Sequence, residues 1–243
     1  MKLDGEEILF QRVALSDTKL MQNIYRLRLQ VYGHECGFIN PADYPDGMER
    51  DDYEDQAVHF AITSQNGDMI GAMRLILPGK RPLPIEEHCP DVNLASALGP
   101  DSCCAEISRL VISKRIRRRR NDGLYYEPQV QDQQGVDAEG KAFRRRSRPM
   151  AFGLYREMYL ESKRLGITHW CSLMEKSLWM LLRVHGFFFE PVGEEVDLFG
   201  PVRPYVSNIA AVEKEVADRF PQFYQWFTSD VSQEETLNQP FPF

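Results

Sequence analysis

Apolar positions recur along this chain with two periods, and each period marks a type of element. The run from Ile8 to Leu15 alternates and predicts a short first strand. Leu20, Ile24, Leu27 and Val31 then recur at helical spacing, which predicts an amphipathic helix over 18–35, capped by Ser16 or Asp17 and ending near Gly37. A polar loop over 40–54 leads to two apolar runs, 59–63 and 69–77. They flank Gln65-Asn66-Gly67-Asp68, the signature of a hairpin. Five prolines between Pro78 and Pro100 argue against regular structure there, apart from a turn or two of helix near Asn93 to Leu98. Downstream, Pro149 to Leu165 reads as a helix with proline at its start and Gly166 past its end. A strand is predicted over 168–173, a helix over 175–185 and a strand over 187–192. The run 195–206 is broken by Gly200, Pro201 and Pro204, and a closing helix over 208–226 is interrupted at Pro221.

The clearest strand is Cys104 to Ser113. Simple alternation puts Ala105, Ile107, Arg109 and Val111 on one face and Glu106, Ser108, Leu110 and Ile112 on the other. Polar groups thus reach both faces of what reads as a central strand, and burying them without partners costs several kcal/mol.

The mixed order of strands and helices predicts an α/β fold, a partly antiparallel sheet with helices on both faces in a three-layer α/β/α sandwich. With 243 residues, 43% of them hydrophobic and 27% charged, the chain reads as a single domain over 1–243. It carries a basic insertion at about 114–148 and a C-terminal helical segment at about 208–243. The five cysteines form no CxxC pair and read as reduced thiols, with no metal motif. No secretory leader and no apolar run of membrane-spanning length is seen, so a cytoplasmic location without stable membrane insertion is expected. The net charge of −7 argues against nucleic-acid binding, yet 114–148 holds 11 Lys/Arg against 5 Asp/Glu.

Candidate chemistry gathers around the acidic run Glu49-Arg50-Asp51-Asp52-Tyr53-Glu54-Asp55. Arg28 lies on the first helix, Arg74 on the hairpin's second strand, and Glu106 with Arg109 on the central strand. Such charges also suit a simpler role, clamping the loop to the sheet. Cys103-Cys104 has no histidine nearby in sequence and reads as packing rather than as a nucleophile, and His59 and His185 read as structural. Phe152, Leu154, Met158, Trp179, Leu182, Phe187, Phe188 and Phe189 read mostly as core, with any surplus available to wall an apolar tunnel.

Tyr25-Arg26-Leu27-Arg28-Leu29-Gln30-Val31-Tyr32 with Glu35-Cys36-Gly37-Phe38, then Glu49 with Asp51, Gly71-Ala72-Met73-Arg74-Leu75 and Glu106-Ile107-Ser108-Arg109-Leu110, resembles the acyl-homoserine-lactone (autoinducer) synthases. It resembles more closely their relatives, the N-acyl amino acid synthases and the acyltransferases associated with PEP-CTERM/exosortase systems. The likeness extends to Gly200, Pro201, Arg203, Pro204 and Tyr205. It implies a GNAT-like fold and acyl transfer from a thioester on acyl carrier protein to the amine of a small acceptor such as an amino acid. Under that resemblance Glu106, Arg109 and Arg74 are the catalytic candidates, with Glu106 the proton acceptor. Arg28, Glu49, Asp51 and Ser108 are the substrate-binding candidates.

No cofactor is expected to be bound permanently. The donor is the acyl-phosphopantetheine of acyl carrier protein, with acyl-CoA as the alternative. Where CoA-dependent relatives carry a glycine-rich turn, this chain reads Lys114-Arg115-Ile116-Arg117-Arg118-Arg119-Arg120. An acidic carrier protein would dock on Arg117, Arg118, Arg119, Arg120, Arg144 and Arg145. The autoinducer synthases keep a tryptophan after the first helix for S-adenosylmethionine, whereas here the tryptophans are Trp170, Trp179 and Trp226, which weakens the lactone-synthase alternative. A non-catalytic module binding an acylated carrier or signal is the second alternative.

Overall fold

The computed structural model describes residues 2–3, 6–113, 138–198 and 200–229, with the backbone alone at 2, 3, 6 and 138–149. Strands β1 (Lys2–Leu3) and β2 (Glu6–Val13) are followed by α1 (Thr18–Leu29), whose Asp17 cap accepts from the Leu20 amide at 3.0 Å. A π-helical stretch, Gln30–Glu35, prolongs it. The hairpin is β3 (Ala57–Ser64) and β4 (Met69–Ile76), turning at Gly67 with φ +82°. Next come the short helices α2 (Pro84–His88) and α3 (Leu94–Leu98) and strand β5 (Cys104–Ile112). After α4 (Ala138–Arg164) the chain alternates through β6 (His169–Met174), α5 (Lys176–Val184), β7 (Glu190–Pro191), β8 (Val196–Asp197) and β9 (Pro201–Asn208). It ends, within the described residues, with α6 (Ile209–Arg219) and α7 (Pro221–Thr228).

The sheet runs β1-β2-β3-β4-β5-β6-β9-β7, with β8 on β9. β5 and β6 are parallel and the other pairs antiparallel. One face carries Val58, Phe60, Met73, Leu75, Ala105 and Ile107 against α4, α5, α6 and α7. The other packs Val13, Ala61, Ala72 and Val111 against α1. On that same face Cys104 and Cys171 join Ile85 of α2 and Leu94 of α3. Helices therefore cover both faces, as the mixed order of elements predicts. Helix α4 lies so close to β2 that a Cβ on Gly153 would stand 2.1 Å from the Phe10 ring.

Four expectations need correction. Proline does not exclude α2: Pro84 occupies its first turn, where an amide hydrogen has no helical partner to lose. Helix α4 starts at Ala138, so Pro149 lies inside it rather than at its start, and the last 11 residues of the supposed basic loop, 138–148, are helical. Gly200, with φ +119°, does break the run after residue 195, between β8 and β9, but Pro201 and Pro204 do not. β9 begins at Pro201, and Pro204 still uses its carbonyl to accept from the Val192 amide at 3.0 Å. The strand predicted over 187–192 is reduced to Glu190 and Pro191.

Candidate active site

Strand β5 is where the alternating pattern fails. Ala72 pairs with Val111, but Arg74 pairs with Ser108, so Arg109 and Leu110 together oppose Met73. Arg109 adopts φ +53°, the left-handed region that side chains other than glycine enter at a cost of about 1–2 kcal/mol. This bulge turns Arg109 away from the face of Ala105 and Ile107 and toward that of Glu106 and Ser108. The predicted assignment of Arg109 to the opposite face from Glu106 is thereby overturned, and the site depends on the reversal.

Around it, three arginines meet three carboxylates. Arg28 Nε donates to Glu49 Oε2, and its two terminal nitrogens donate to Glu54 at 3.2 and 2.9 Å. Arg74 donates to Asp51 Oδ1 at 2.6 Å and Oδ2 at 2.9 Å, to Glu54 Oε1 at 2.8 Å and, through Nε, to Ser108 Oγ at 3.0 Å. Arg109 Nε donates to Glu49 at 3.1 Å and Nη2 to Asp51 at 3.0 Å. The acidic loop is thus clamped to α1, β4 and β5. Burial alone would raise the Glu49 and Asp51 pKa values. The guanidinium groups outweigh it and hold both carboxyls below their usual range. Burial likewise opposes the charge on Arg28, yet Glu49 and Glu54 push its pKa upward. His59, fully buried, lies 3.3 Å from Glu54. Burial depresses its pKa to about 4, so at neutral pH this is a contact with an uncharged ring and not an ion pair.

Glu106 stands apart from this balance. It is 3% exposed and forms no ion pair with a described residue; its Oε2 accepts from the Ile85 amide at 2.8 Å. Burial raises its pKa to about 8, against the smaller opposing pull of the Ile85 amide, Arg74 and Arg109. A carboxyl so placed exchanges protons near neutral pH, as an acid–base catalyst requires.

The strands beside Glu106 part. β5 and β6 pair at Cys104 with His169, Ala105 with Trp170 and Glu106 with Cys171, and no further, while β6 stays on β9 as far as Met174. Beyond Glu106, Ser172 Oγ spans the gap to the Ile107 carbonyl at 3.0 Å. A cleft of about 190 Å³ occupies this divergence. Its lining includes Glu49, Asp51, Arg74, Glu106, Ser108 and Arg109, with apolar walls from Phe38, Ile107, Leu110, Leu173, Leu178 and Val202. Six of the predicted residues therefore meet at one cleft. Arg28 does not line it: 1% exposed, with every guanidinium nitrogen engaged, it serves the clamp. Arg74 lines the cleft but is equally engaged. Arg109 alone of the three keeps a nitrogen, Nη1, without a partner among the described residues, and its side chain is 30% exposed.

Glu54, which joins Arg28 to Arg74, is missing from the predicted set although it sits in the acidic run. Tyr53, His88, Tyr155 and Ser172 also line the cleft, and no local pattern marks them. Arg117, Arg118, Arg119 and Arg120 lie outside the described residues, and Arg144 and Arg145 fall in the first half of α4, where only the backbone is described. Burial raises the pKa values of Cys103 and Cys171, the reverse of what a nucleophilic thiol needs. Among the described residues no cluster could hold a metal ion, and no helix is long and apolar enough to cross a membrane.

The acetyltransferase (GNAT) domain family matches residues 27–126, which include the clamp and all of β5. No curated protein matches the sequence. Among solved structures the chain is similar to FeeM, an N-acyl amino acid synthase from uncultured soil microbes, with TM-score 0.58 and 14% identity over 88% of this chain and 97% of that one. It is similar to BjaI, a CoA-dependent acyl-homoserine lactone synthase solved with SAM and isopentyl-CoA, with TM-score 0.59 and 19% identity over 88% and 89%. It is also similar to the AHL synthase LasI, with TM-score 0.57 and 15% identity over 87% and 98%. At these identities the structural likeness speaks for the fold. With the domain match over the residues that build the cleft, it supports an acyltransferase with a GNAT-like fold.

Proposed function

We propose that this protein moves a fatty acyl group from the thioester of acyl carrier protein to the amine of a small acceptor such as an amino acid. The observation that carries this reading is Glu106, a buried carboxyl with its pKa raised to about 8 beside a parted strand pair. An amino acid arrives as an ammonium. Glu106 takes one proton, directly or through water, and the freed nitrogen attacks the thioester carbon. The N–C bond forms, the C–S bond breaks, and the leaving thiolate takes up the second proton, which the nitrogen sheds on becoming an amide. The free Nη1 of Arg109 suits the acceptor's carboxylate, holding it beside Glu106. Backbone donors on the parted strand edges suit the developing oxyanion.

The pantetheine arm is common to acyl carrier protein and CoA. We favour the carrier protein because residues 114–148, which follow β5 at the end where the strands diverge and run into α4, hold 11 Lys/Arg against 5 Asp/Glu in an otherwise acidic chain. A cytoplasmic location accords with that donor. Reversing Arg118 and Arg119 to Glu is expected to raise the KM for acyl carrier protein while leaving that for the acceptor unchanged.

The decisive experiment is untargeted mass spectrometry of lipids from cells expressing the wild type or Glu106→Gln, paired with transfer assays from acyl carrier protein to a panel of amino acids. New fatty amides with the wild type, lost with a folded variant, support the proposal. Absence of amide in both assays defeats it and favours a binding module. Tight calorimetric binding of S-adenosylmethionine would instead favour lactone synthesis.

A further inference from the structure

Helix α2 is a wall of two cavities. Pro84 and His88 line the cleft, whereas Leu83, Glu86 and Glu87 line a separate groove of about 600 Å³, a volume in the range of small-molecule sites. Helix α3 supplies Leu94, Ala95 and Leu98 to this groove, β5 supplies Cys104, and the loop 78–82 completes it. That loop is held in place by one side chain. Gln56 Nε2 donates to the Leu77 and Arg81 carbonyls at 2.8 and 3.2 Å, and Gln56 Oε1 accepts from the Arg81 amide at 3.3 Å. The groove is therefore preformed.

Its lining has an apolar part and a charged part. Leu83, Leu94 and Cys104 belong to one buried apolar cluster, with Leu98 packed against it. Of the charges, the carboxylates are already engaged. Glu86 Oε2 accepts from the Leu83 amide at 3.4 Å, and Glu87 is directed toward Tyr53, whose hydroxyl pKa is raised by burial first and by this carboxylate second. The cations keep free donors. Arg81 gives Nη1 to the Asp52 carbonyl at 2.6 Å and leaves Nη2 without a partner among the described residues, while Lys80, exposed, has none among them at all. A ligand entering the groove thus meets apolar side chains beside unengaged positive charge.

We infer that the groove is a second ligand site, taking a carboxylate carried on an apolar chain, and that its occupant acts on the cleft through α2. An N-acyl amino acid belongs to that class. It keeps the carboxylate of the acceptor for Lys80 and Arg81, and it adds the chain that Leu83, Leu94 and Leu98 can cover, which a free amino acid lacks. Naming the product as the occupant rests on the acyl-transfer reading above; the site itself rests on the groove. The link to the chemistry is short. Ile85 of α2 donates its amide to Glu106 Oε2 at 2.8 Å, so an occupant that fixes α2 also fixes the donor holding the proposed base. Product in the groove reaches Glu106 without entering the cleft.

The test titrates the full-length protein with N-lauroylglycine, lauric acid and laurylamine by calorimetry, with hydrogen exchange at α2 followed alongside, so that turnover is not needed. Both carboxylates are expected to bind and to slow that exchange, and laurylamine to bind about tenfold more weakly, the worth of one charge-assisted hydrogen bond. Ala95→Trp, which fills the groove from an exposed position of α3, and Lys80→Glu, which reverses a free charge, should each weaken carboxylate binding by about as much and remove the protection of α2. N-lauroylglycine should also inhibit transfer in part in a way that saturating donor and acceptor do not relieve, and Ala95→Trp should remove that part alone. Binding that neither variant weakens overturns the inference. So does laurylamine bound as tightly as the carboxylates, or inhibition that the substrates relieve completely. If the carboxylates bind as described but no assay yields an amide, the acyl-transfer reading falls and the groove stands as a site for fatty carboxylates.

Discussion

Glu106 sets the pH behaviour of the proposed reaction. With its pKa raised by burial to about 8, the carboxyl is mostly protonated at neutral pH and becomes a base as the pH rises. Transfer should accordingly speed up with pH through an apparent pKa near 8. The acceptor amine titrates as well, so the limb belongs to Glu106 only if it stays near 8 for acceptors whose amines differ in basicity. Glu106→Gln should remove that limb and cut kcat by about 10²–10⁴. A limb that persists in the variant, or that follows the amine, assigns the titration elsewhere. The sequence marks Glu106 as a carboxylate on a central strand that asks for explanation. It is silent on the Ile85 amide that holds its oxygen, because that donor comes from a short helix starting at a proline in a stretch that otherwise reads as irregular.

Among the elements, β5 carries the largest consequence. Period-two alternation identifies it as a strand and then misplaces Arg109, since one extra residue shifts every later side chain to the other face. Leu110 and Ile112 accordingly contribute to the α4-side core, and Val111 to the α1-side core. The left-handed backbone makes a specific prediction. At an ordinary strand position Arg→Gly destabilises more than Arg→Ala, by roughly 0.5–1 kcal/mol. At Arg109, with φ +53°, the order should reverse, with Arg109→Gly the more stable by about 1 kcal/mol. Denaturant midpoints of the two variants decide it, and the ordinary order would mean the bulge is absent in solution. The misplaced start of α4 has a different origin. Proline reads as a boundary, but Ala138 to Arg148 is rich in good helix formers, and these extend the helix upstream.

At the scale of the whole molecule, buried titratable groups link stability to pH. His59 is held neutral, with its folded pKa at about 4 against an ordinary 6.5, so the unfolded chain binds more protons between those values and stability falls as pH drops through that window. Glu106 works the other way. The folded state binds more protons between about 4.5 and 8, so its contribution is lost as pH rises through that range. Glu49 and Asp51, with depressed pKa values, add stability that disappears as pH falls below their ordinary values. Thermal melts of wild type and Glu106→Gln should therefore diverge in the variant's favour from about pH 4.5 to 8. His59→Gln should flatten the wild-type decline between 6.5 and 4. Parallel curves across these windows would show that neither group is titrating as its burial requires.

The amino-acid pattern alone was enough for the order of elements apart from α2 and β9, the two-sided cover of the sheet, the hairpin, the acidic run and the arginines and glutamate that meet it. These follow from periodicities and turn chemistry that act over a few residues, and from charges too numerous to be buried unpaired. The reversal at Arg109, the gap beyond Glu106 and Glu54 as the joint of the clamp came from packing. Each depends on where one strand stops pairing with another, or on which side chain reaches a group distant in sequence. Those outcomes are settled by the competition of long-range contacts across the sheet, which no local spacing records.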